Sequence, residues 1–342
     1  MRRHLATLTA ITLTAACLAA FPVFADDEVN VYSSRKEALI KPLLDRFTQE
    51  TGIEVNLVTG KDAALLQRLK SEGANSPADL LITTDAGNLH RAKAAGVTQA
   101  FLSEGLAEVI PASYRDAEGH WVGLTLRARP ILYVKEQVDP ASLSTYEALA
   151  DPAFKGRICI RSSDNIYNQS LVASLIAANG VEATETWAKG LVANLARPPK
   201  GGDRDQIKAA AAGECGIAVA NTYYLAGMLE SEEPAQRAAA EAMGVFWPNQ
   251  EGRGTHVNVS GAAVTAAAKH REAAVRLVEY LAEPEAQAWY AQANGEYPVR
   301  TGVALSPTLA AWGTFKADDL DLSRLGELNA EALRLMDRAG WR

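Results

Sequence analysis

Residues 216–230, Gly-Ile-Ala-Val-Ala-Asn-Thr-Tyr-Tyr-Leu-Ala-Gly-Met-Leu-Glu, carry the clearest architectural signal in the chain. The apolar run to Ala220 predicts a buried strand, and residues 223–230 predict a helix directly after it. Asn221 and Thr222 lie between the two, and both residue types favour the start of a helix. The stretch therefore predicts a strand, a short polar turn and a helix.

The same unit recurs along the chain. Strand and helix pairs are predicted at 29–32 with 36–50, 53–58 with 63–71, 79–83 with 87–95, and 157–161 with 166–178. Alternation of this kind is typical of an α/β fold with mainly parallel sheets. Ligands of such folds bind beyond the carboxyl ends of the strands, so we expect a binding site at the polar turns.

Two extended stretches, residues 121–134 and 255–264, have no helix immediately between their halves. They are candidates for hinges that cross between two lobes, with one lobe inserted into the other. The expected division is a discontinuous N-terminal lobe (26–128 and 258–302), an inserted C-terminal lobe (129–257) and C-terminal helices (303–342).

Residues 1–25 have the features of a secretory leader. Arg2 and Arg3 precede an apolar run of 16 residues from Leu5 to Ala20, and small residues follow before two aspartates. The run is shorter than the roughly 20 apolar residues that span a bilayer. We therefore expect a cleaved signal peptide and an exported protein.

The composition is that of an ordinary globular protein. The chain has 342 residues, 48% of them hydrophobic, with 34 Lys and Arg against 41 Asp and Glu. Without the leader's two arginines the charge is 32 − 41 = −9. This composition excludes disorder and a disulfide-dense miniprotein, and it argues against a nucleic-acid partner. A small or cationic partner is expected.

Cys159 and Cys215 are the cysteines that remain after the leader. Export would place them in an oxidising compartment, where a disulfide persists. Each lies in or at the start of a predicted strand, so a bond forms if these strands are neighbours and the Cα atoms lie within about 7 Å. Two buried free thiols are the alternative.

Tyrosines occupy two of the polar turns. Tyr223 and Tyr224 fall in the first turn of their predicted helix, where the helix dipole favours anions. Tyr167 has an equivalent position after the strand at 157–161. Amphipathic packing is the alternative explanation for adjacent tyrosines. Three phenolates neutralise a 3+ charge, so the set predicts a site for a hard trivalent cation.

Charged residues also lie in two other polar turns, 33–37 and 83–85, and in the extended stretch 121–134. Glu37 and Asp85 are candidates to add carboxylate oxygens from the opposite lobe, and a helix cap or N-terminal helix charge is the alternative for each. Arg35, Arg127 and Arg129 are candidates to line the cleft, where they would bind an accompanying anion such as carbonate or balance the phenolates. Ordinary salt bridges are the alternative. The histidines show no metal-ligand spacing.

Catalytic signatures are missing from the sequence. There is no G-x-S-x-G elbow, no H-E-x-x-H motif and no phosphate-binding glycine loop. A binding protein is therefore the leading hypothesis. A carrier of an oxyanion or a polyamine is the alternative within the same fold, and a secreted enzyme with Tyr223 or Glu37 as acid or base is the alternative from another class.

The chain resembles the periplasmic ferric-ion-binding proteins of iron(III) ABC importers, also called bacterial transferrins, over essentially its whole length after the leader. The matching motifs are Val31-Tyr32-Ser33-Ser34-Arg35, 47–53, Pro77-Ala78-Asp79, 85–89, 162–170, Ala220-Asn221-Thr222-Tyr223-Tyr224 and Glu296-Tyr297-Pro298-Val299. The resemblance implies a two-lobed type II periplasmic binding fold with Fe(III) in the interlobe cleft. It also implies a monomer that delivers iron to an inner-membrane permease.

The ligands implied by the resemblance are Tyr223, Tyr224 and, in one large branch of the family, Tyr167. The sequence departs from the family after the first motif. Relatives often carry His-Tyr or a histidine there, and this chain has Lys36-Glu37. Either Glu37 replaces the usual ligand, or the second lobe holds Fe(III) with water or carbonate completing the coordination.

Overall fold

The computed structural model describes residues 28–342, so the expected signal peptide lies outside the described residues. This part of the chain contains ten strands and fourteen α-helices. None of the helices within residues 28–342 combines the length and the apolar character that a bilayer crossing requires.

The strands are β1 (Glu28–Ser33), β2 (Glu54–Thr59), β3 (Leu80–Thr84), β4 (Val122–Ala128), β5 (Ile131–Val134), β6 (Ile158–Cys159), β7 (Ile217–Val219), β8 (Met243–Phe246), β9 (Val257–Val264) and β10 (Tyr297–Pro298). The helices are α1 (Lys41–Thr51), α2 (Asp62–Glu72), α3 (Ala86–Ala94), α4 (Glu104–Val109), α5 (Ile166–Asn179), α6 (Val181–Ala193), α7 (Asp203–Ala211), α8 (Thr222–Leu229), α9 (Pro234–Glu241), α10 (Arg271–Leu281), α11 (Pro284–Asn294), α12 (Pro307–Ala311), α13 (Ser323–Glu327) and α14 (Asn329–Arg338).

The strands form two mixed sheets. One has the order β10-β4-β9-β3-β1-β2 and the other has the order β6-β7-β5-β8. We call each sheet, with the helices packed on it, the first and the second lobe. The expectation of mainly parallel sheets is wrong, because β1 is parallel to β2 and β3, β6 is parallel to β7, and the other five strand pairs are antiparallel. The antiparallel pairs arise where β4, β5 and β9 carry the chain between the sheets.

The chain passes twice between the two sheets. β4 ends at Ala128 in the first sheet and β5 begins at Ile131 in the second, so two residues separate them. The return passage runs from β8, which ends at Phe246, to β9, which begins at Val257. Both passages lie within or beside the stretches predicted as hinges. The limits of the lobes themselves stay a prediction.

The helix predicted over residues 36–50 is interrupted. A short 3₁₀ turn covers Glu37–Leu39, and α1 begins only at Lys41 with Pro42 as its second residue. Proline lacks an N–H group and fits the first turn of a helix but not its interior. A helix that started at residue 36 would place Pro42 inside it, so the chain starts a new helix there.

The C-terminal helices join the two lobes. α13 packs against α3 of the first lobe and α5 of the second, and α14 packs against α5 and α6. Gly326 allows the approach of α13 to α3, because a Cβ atom there would overlap the His90 ring. α13 and α14 meet at Leu328.

Cys159 and Cys215 form a disulfide with a Cα–Cα distance of 6.0 Å. β6 and β7 are parallel neighbours, which brings Cys159, at the end of β6, close to Cys215, two residues before β7. Both cysteines are buried. The disulfide prediction is confirmed.

Candidate metal-binding site

A cavity of about 500 Å³ lies between the two lobes. It opens at the carboxyl ends of parallel strands in both sheets, β1, β2 and β3 in the first and β6 and β7 in the second. Its lining includes Ser34, Arg35, Lys36, Gly60, Lys61, Asp62, Thr84, Arg127, Asn294 and Glu296 from the first lobe, and Tyr167, Arg204, Tyr223, Tyr224, Gly227 and Glu230 from the second. The cavity is at the position where α/β folds bind their ligands.

The three tyrosines share this cavity because of where their helices begin. Tyr167 is the second residue of α5, and its backbone N donates to the Oδ1 of the N-cap residue Asn165 at 3.1 Å. Tyr223 and Tyr224 are the second and third residues of α8. β6 and β7 are parallel, so the helices that follow them start at the same edge of the sheet. The structure therefore brings together the three residues that the sequence singles out.

An arginine from the opposite lobe lies against the tyrosines. The Arg127 Cζ is 5.9 Å from the centroid of the Tyr167 ring and 5.7 Å from that of Tyr223. The rings of Tyr223 and Tyr224 lie 4.3 Å apart between centroids. One cation thus faces a compact group of phenols at a distance at which it favours their ionised form.

Tyr167 and Tyr223 nevertheless keep their phenolic protons in the absence of a stronger charge. Burial, with a contribution from Tyr224, raises the pKa of Tyr167 to about 12, although Arg127 opposes this shift. Burial, with contributions from Tyr167 and Tyr224, raises the pKa of Tyr223 well above 10. A bound cation of high charge would have to displace these protons.

The first-lobe wall of the cavity is rich in cations. Arg35 Nη2 lies 2.5 Å from Glu296 Oε2, and Arg127 Nη2 lies 4.0 Å from Glu296 Oε1. Burial alone would raise the pKa of Glu296, but the two arginines outweigh it and hold this pKa below its usual value. Lys36 and Lys61 add further positive charge to the same wall. The four cations of this wall outnumber its two carboxylates, Glu296 and Asp62, so the wall retains an excess of positive charge that suits an anion.

Glu37 is not brought to the cavity. It lies exposed in the 3₁₀ turn before α1, and the side chains that line the cavity at this point are those of Arg35 and Lys36. The interruption at Pro42 sets this local geometry. The structure gives no support to Glu37 as a replacement ligand.

Asp85 is also outside the cavity lining. Its fully buried carboxylate accepts hydrogen bonds from Gly87 N at 2.8 Å, Ser170 Oγ at 2.9 Å and Asn258 Nδ2 at 2.8 Å. It is the N-cap of α3 and has a strained backbone φ of 130°. Burial raises its pKa to about 7. Asp85 therefore links the two lobes through Ser170 and serves as a cap, as the alternative interpretation held.

Arg129 does not line the cavity either, although Arg35 and Arg127 do. Its side chain is fully buried and its Nη1 lies 3.0 Å from Asp203 Oδ2. The alternative of an ordinary salt bridge is correct for this residue. A buried guanidinium with a carboxylate partner is not available to an anion in the cleft.

Sequence reasoning missed several lining residues, among them Lys61, Asp62, Arg204, Glu230 and Glu296. Lys61 and Asp62 directly follow a predicted strand, so the rule that located the other turns would have found them. Arg204 was missed because Gly201 and Gly202, just before it, are typical of a loop. In the structure Gly202 is the N-cap of α7, and Arg204 is the second residue of that helix. The carboxylate of Glu296 offered no local signal, because its partner Arg35 is 261 residues away.

Within residues 28–342, no group of three or more His, Cys, Asp and Glu side chains is placed to hold a metal ion. The tyrosines therefore stand out as anionic donors that can converge on one point. Oxygen donors of this kind suit a hard, highly charged cation.

Two lobes joined by paired passages, with a polar cavity between them, define a two-lobed periplasmic-type binding protein, and the fold predicted from the sequence is confirmed. The family described as bacterial extracellular solute-binding protein matches residues 43–317, and this chain belongs to that family.

Relatives at high identity are named for iron. Iron uptake protein A1 of Synechocystis sp. is 54% identical over 92% of this chain and 88% of its own length. A Trichodesmium structure in complex with iron and citrate ligands has a TM-score of 0.90 and 51% identity, and covers 92% of this chain and 100% of its own. The ferric binding protein from Campylobacter jejuni has a TM-score of 0.87 and 41% identity over 92% of this chain and 100% of its own.

Proposed function

We propose that this protein captures Fe(III) in the cavity between its lobes and delivers it to an ABC permease. The observation that carries the proposal is the convergence of Tyr167, Tyr223 and Tyr224 on one cavity from the ends of two parallel strands. The names of the relatives, which refer to iron uptake and ferric binding, support the choice of metal.

The three tyrosines act as phenolate ligands from the second lobe. Their three negative charges balance the charge of Fe(III), and phenolate oxygens are hard donors that suit this ion. Arg127 stabilises the phenolates from the first lobe through its position over the Tyr167 and Tyr223 rings. The second lobe thus holds the metal, and the first lobe closes over it.

An anion completes the site. The cavity of about 500 Å³ exceeds the space that one ion fills, and the opposite wall carries unpaired positive charge from Lys36 and Lys61. Carbonate or a carboxylate such as citrate would bind the iron with one side and the cationic wall with the other. The Trichodesmium structure in complex with iron and citrate ligands supports this arrangement.

The role is binding and release without chemical turnover. The names of the relatives, which refer to iron uptake and ferric binding, support a transport role for this cavity. The periplasmic location rests on the predicted signal peptide and on membership of an extracellular solute-binding family. The protein acts as a monomer that presents both lobes to its permease.

Loading the purified protein with ferric citrate tests the proposal. We expect one iron per chain and a visible phenolate-to-Fe(III) charge-transfer band. Tyr223→Phe should weaken or remove the band while the protein stays folded, and Tyr114→Phe, the same change in a half-buried tyrosine outside the cavity, should not.

The alternatives give different results in the same preparation. Iron bound without a charge-transfer band would refute the tyrosine site. Binding of phosphate or of spermidine by iron-free protein, with no uptake of iron, would instead identify an oxyanion or polyamine carrier.

A further inference from the structure

Arg129 reaches from the passage between the sheets into the second lobe. Its Nη1 donates to Asp203 Oδ2 at 3.0 Å and to Asn221 Oδ1 at 2.9 Å. Its Nη2 donates to Asn168 Oδ1 at 2.7 Å and to the Val219 carbonyl at 3.3 Å. One planar group therefore binds acceptors on four different elements or turns.

These acceptors are adjacent to the tyrosines. Asn168 directly follows Tyr167 in α5, and Asn221 is the N-cap of α8, two residues before Tyr223. Asp203 strengthens the link, because its Oδ2 also accepts a hydrogen bond from the Asn221 backbone N at 2.9 Å. Each arm of the guanidinium thus holds one of the two turns that carry the proposed ligands.

At the N-cap of α8, a hydrogen bond from Arg129 replaces the usual side-chain capping bond. Asparagine at an N-cap usually accepts a hydrogen bond from a backbone N–H of the first turn. Asn221 makes no such bond, and its Oδ1 instead accepts from Arg129. Asn168 closes the other turn, since its Nδ2 donates to the carbonyls of Arg161 at 2.7 Å and Ser162 at 3.1 Å.

The backbone of Arg129 is fixed as well. Its N–H donates to the His256 carbonyl at 3.1 Å on the return passage, and its carbonyl accepts from Tyr146 Oη at 2.8 Å. The hydroxyl of Tyr146 in turn accepts from His256 N at 3.1 Å. The guanidinium therefore extends from a point at which both passages between the lobes are tied together.

We propose that Arg129 is a positioning residue that sets the separation of the Tyr167 turn and the Tyr223 turn, and so the geometry of the three phenol oxygens. The inference rests on the proposed function. A lysine at this position keeps the charge but cannot reach both turns from one planar fork, so charge and geometry can be separated.

The test compares Arg129→Lys with Arg253→Lys in the iron-loaded protein. Arg253 is a matched control, because it is a largely buried arginine on the return passage that pairs with Asp318 at 2.6 Å. It lies over the Tyr146 ring and donates to Ser174 Oγ in α5 at 3.5 Å, and it contacts neither tyrosine turn. We expect Arg129→Lys to shift the charge-transfer maximum and to lower iron affinity by about tenfold or more, the scale typical of losing a residue that orients metal ligands. Arg253→Lys should leave the band unchanged even if thermal stability falls.

Two results would overturn the proposal. One is a wild-type band and affinity in Arg129→Lys, which would assign the residue a charge or stability role only. The other is an equal band shift in Arg253→Lys, which would indicate general loosening of the lobe. If Arg129→Lys does not fold, Asn168→Ser removes one acceptor without unpairing a buried charge, and a wild-type band there refutes the proposal equally.

A structural readout separates this inference from the proposed function. In crystals of the iron-free proteins, the distance between the Tyr167 and Tyr223 hydroxyl oxygens should differ between wild type and Arg129→Lys by more than about 0.5 Å, the tolerance of a preorganised site. An unchanged distance overturns the positioning role whether or not the protein binds iron. Failure of the wild type to take up iron would refute the proposed function and leave this comparison valid.

Discussion

Replacing Tyr167 with phenylalanine should reduce by one the number of protons released when iron binds. Burial raises the pKa of Tyr167 to about 12, so about one molecule in 10⁵ has this phenol ionised at pH 7. Ligation requires the phenolate, and each ligating phenol therefore loses one proton on binding. The phenylalanine side chain keeps the ring packing and has no proton to release.

The number of protons released also determines how iron affinity depends on pH. Below the pKa of every ligating phenol, each proton released weakens iron affinity about tenfold for every unit of pH lost. Ionising Tyr167 at pH 7 costs about 7 kcal/mol, from five pKa units at about 1.4 kcal/mol each, and the metal must offset that cost. Affinity should fall on acidification, and Tyr167→Phe should lower the slope by one.

Isothermal titration calorimetry in buffers of different ionisation enthalpy counts the protons directly. Ferric citrate is the iron donor for both proteins, so protons taken up or released by the chelate cancel in the difference between wild type and variant. Tyr114→Phe, outside the cavity, should release the wild-type number. An identical proton count for Tyr167→Phe and wild type would show that Tyr167 does not ligate iron as a phenolate.

Three further outcomes are expected from residues around the site. Replacing Cys159 and Cys215 together with serine should lower the free energy of unfolding by about 2 to 4 kcal/mol and leave iron affinity unchanged. An unchanged midpoint in denaturant unfolding would contradict this. Glu296→Ala should destabilise the fold by about 3 to 5 kcal/mol, because it leaves Arg35 buried without its partner; a loss below about 1 kcal/mol in urea would argue otherwise. The pKa of Asp85 is raised to about 7, so its ionisation destabilises the fold. As pH rises from about 4 to above 7, the free energy of unfolding of the wild type should fall by about 4 kcal/mol relative to that of Asp85→Asn. Curves of unfolding free energy against pH that run parallel for the two proteins would exclude this.

The features that the sequence predicted correctly are local in the chain. The strand, turn and helix around Tyr223 are contiguous, and the unit around Tyr167 has the same order with a longer loop and a longer helix. Parallel pairing of the two strands then places the turns at one edge. The disulfide follows from the same pairing, because Cys159 ends β6 and Cys215 lies two residues before β7.

The features that the sequence could not supply depend on distant contacts. Arg129 lies within the extended stretch 121–134, which favours a position in the cleft between the lobes. Only its contact with Asp203, 74 residues away, shows that the side chain enters the second lobe. The sequence of β9 does not indicate in which direction the strand enters the sheet, so mainly parallel sheets were expected. Its return from the other lobe makes it antiparallel to β3 and β4.

The position of Glu37 depends on two local features of the sequence, the helical spacing of apolar residues and a proline, and the proline has the stronger effect. The apolar spacing of residues 36–50 favours one continuous helix, and Pro42 prevents it. The start of α1 therefore shifts to Lys41, and Glu37 faces solvent in the preceding turn. Reading the proline before the periodicity would have predicted this outcome.

Anomalous diffraction at the iron absorption edge, from crystals of the protein loaded with ferric citrate, tests the central claim most directly. We expect a single peak in the cavity between the lobes, within coordination distance of the hydroxyl oxygens of Tyr167, Tyr223 and Tyr224. Density for a carboxylate should lie between that peak and the wall formed by Lys36 and Lys61. A peak that contacts none of the three tyrosines, or no peak in the cavity of an iron-containing protein, would contradict the account.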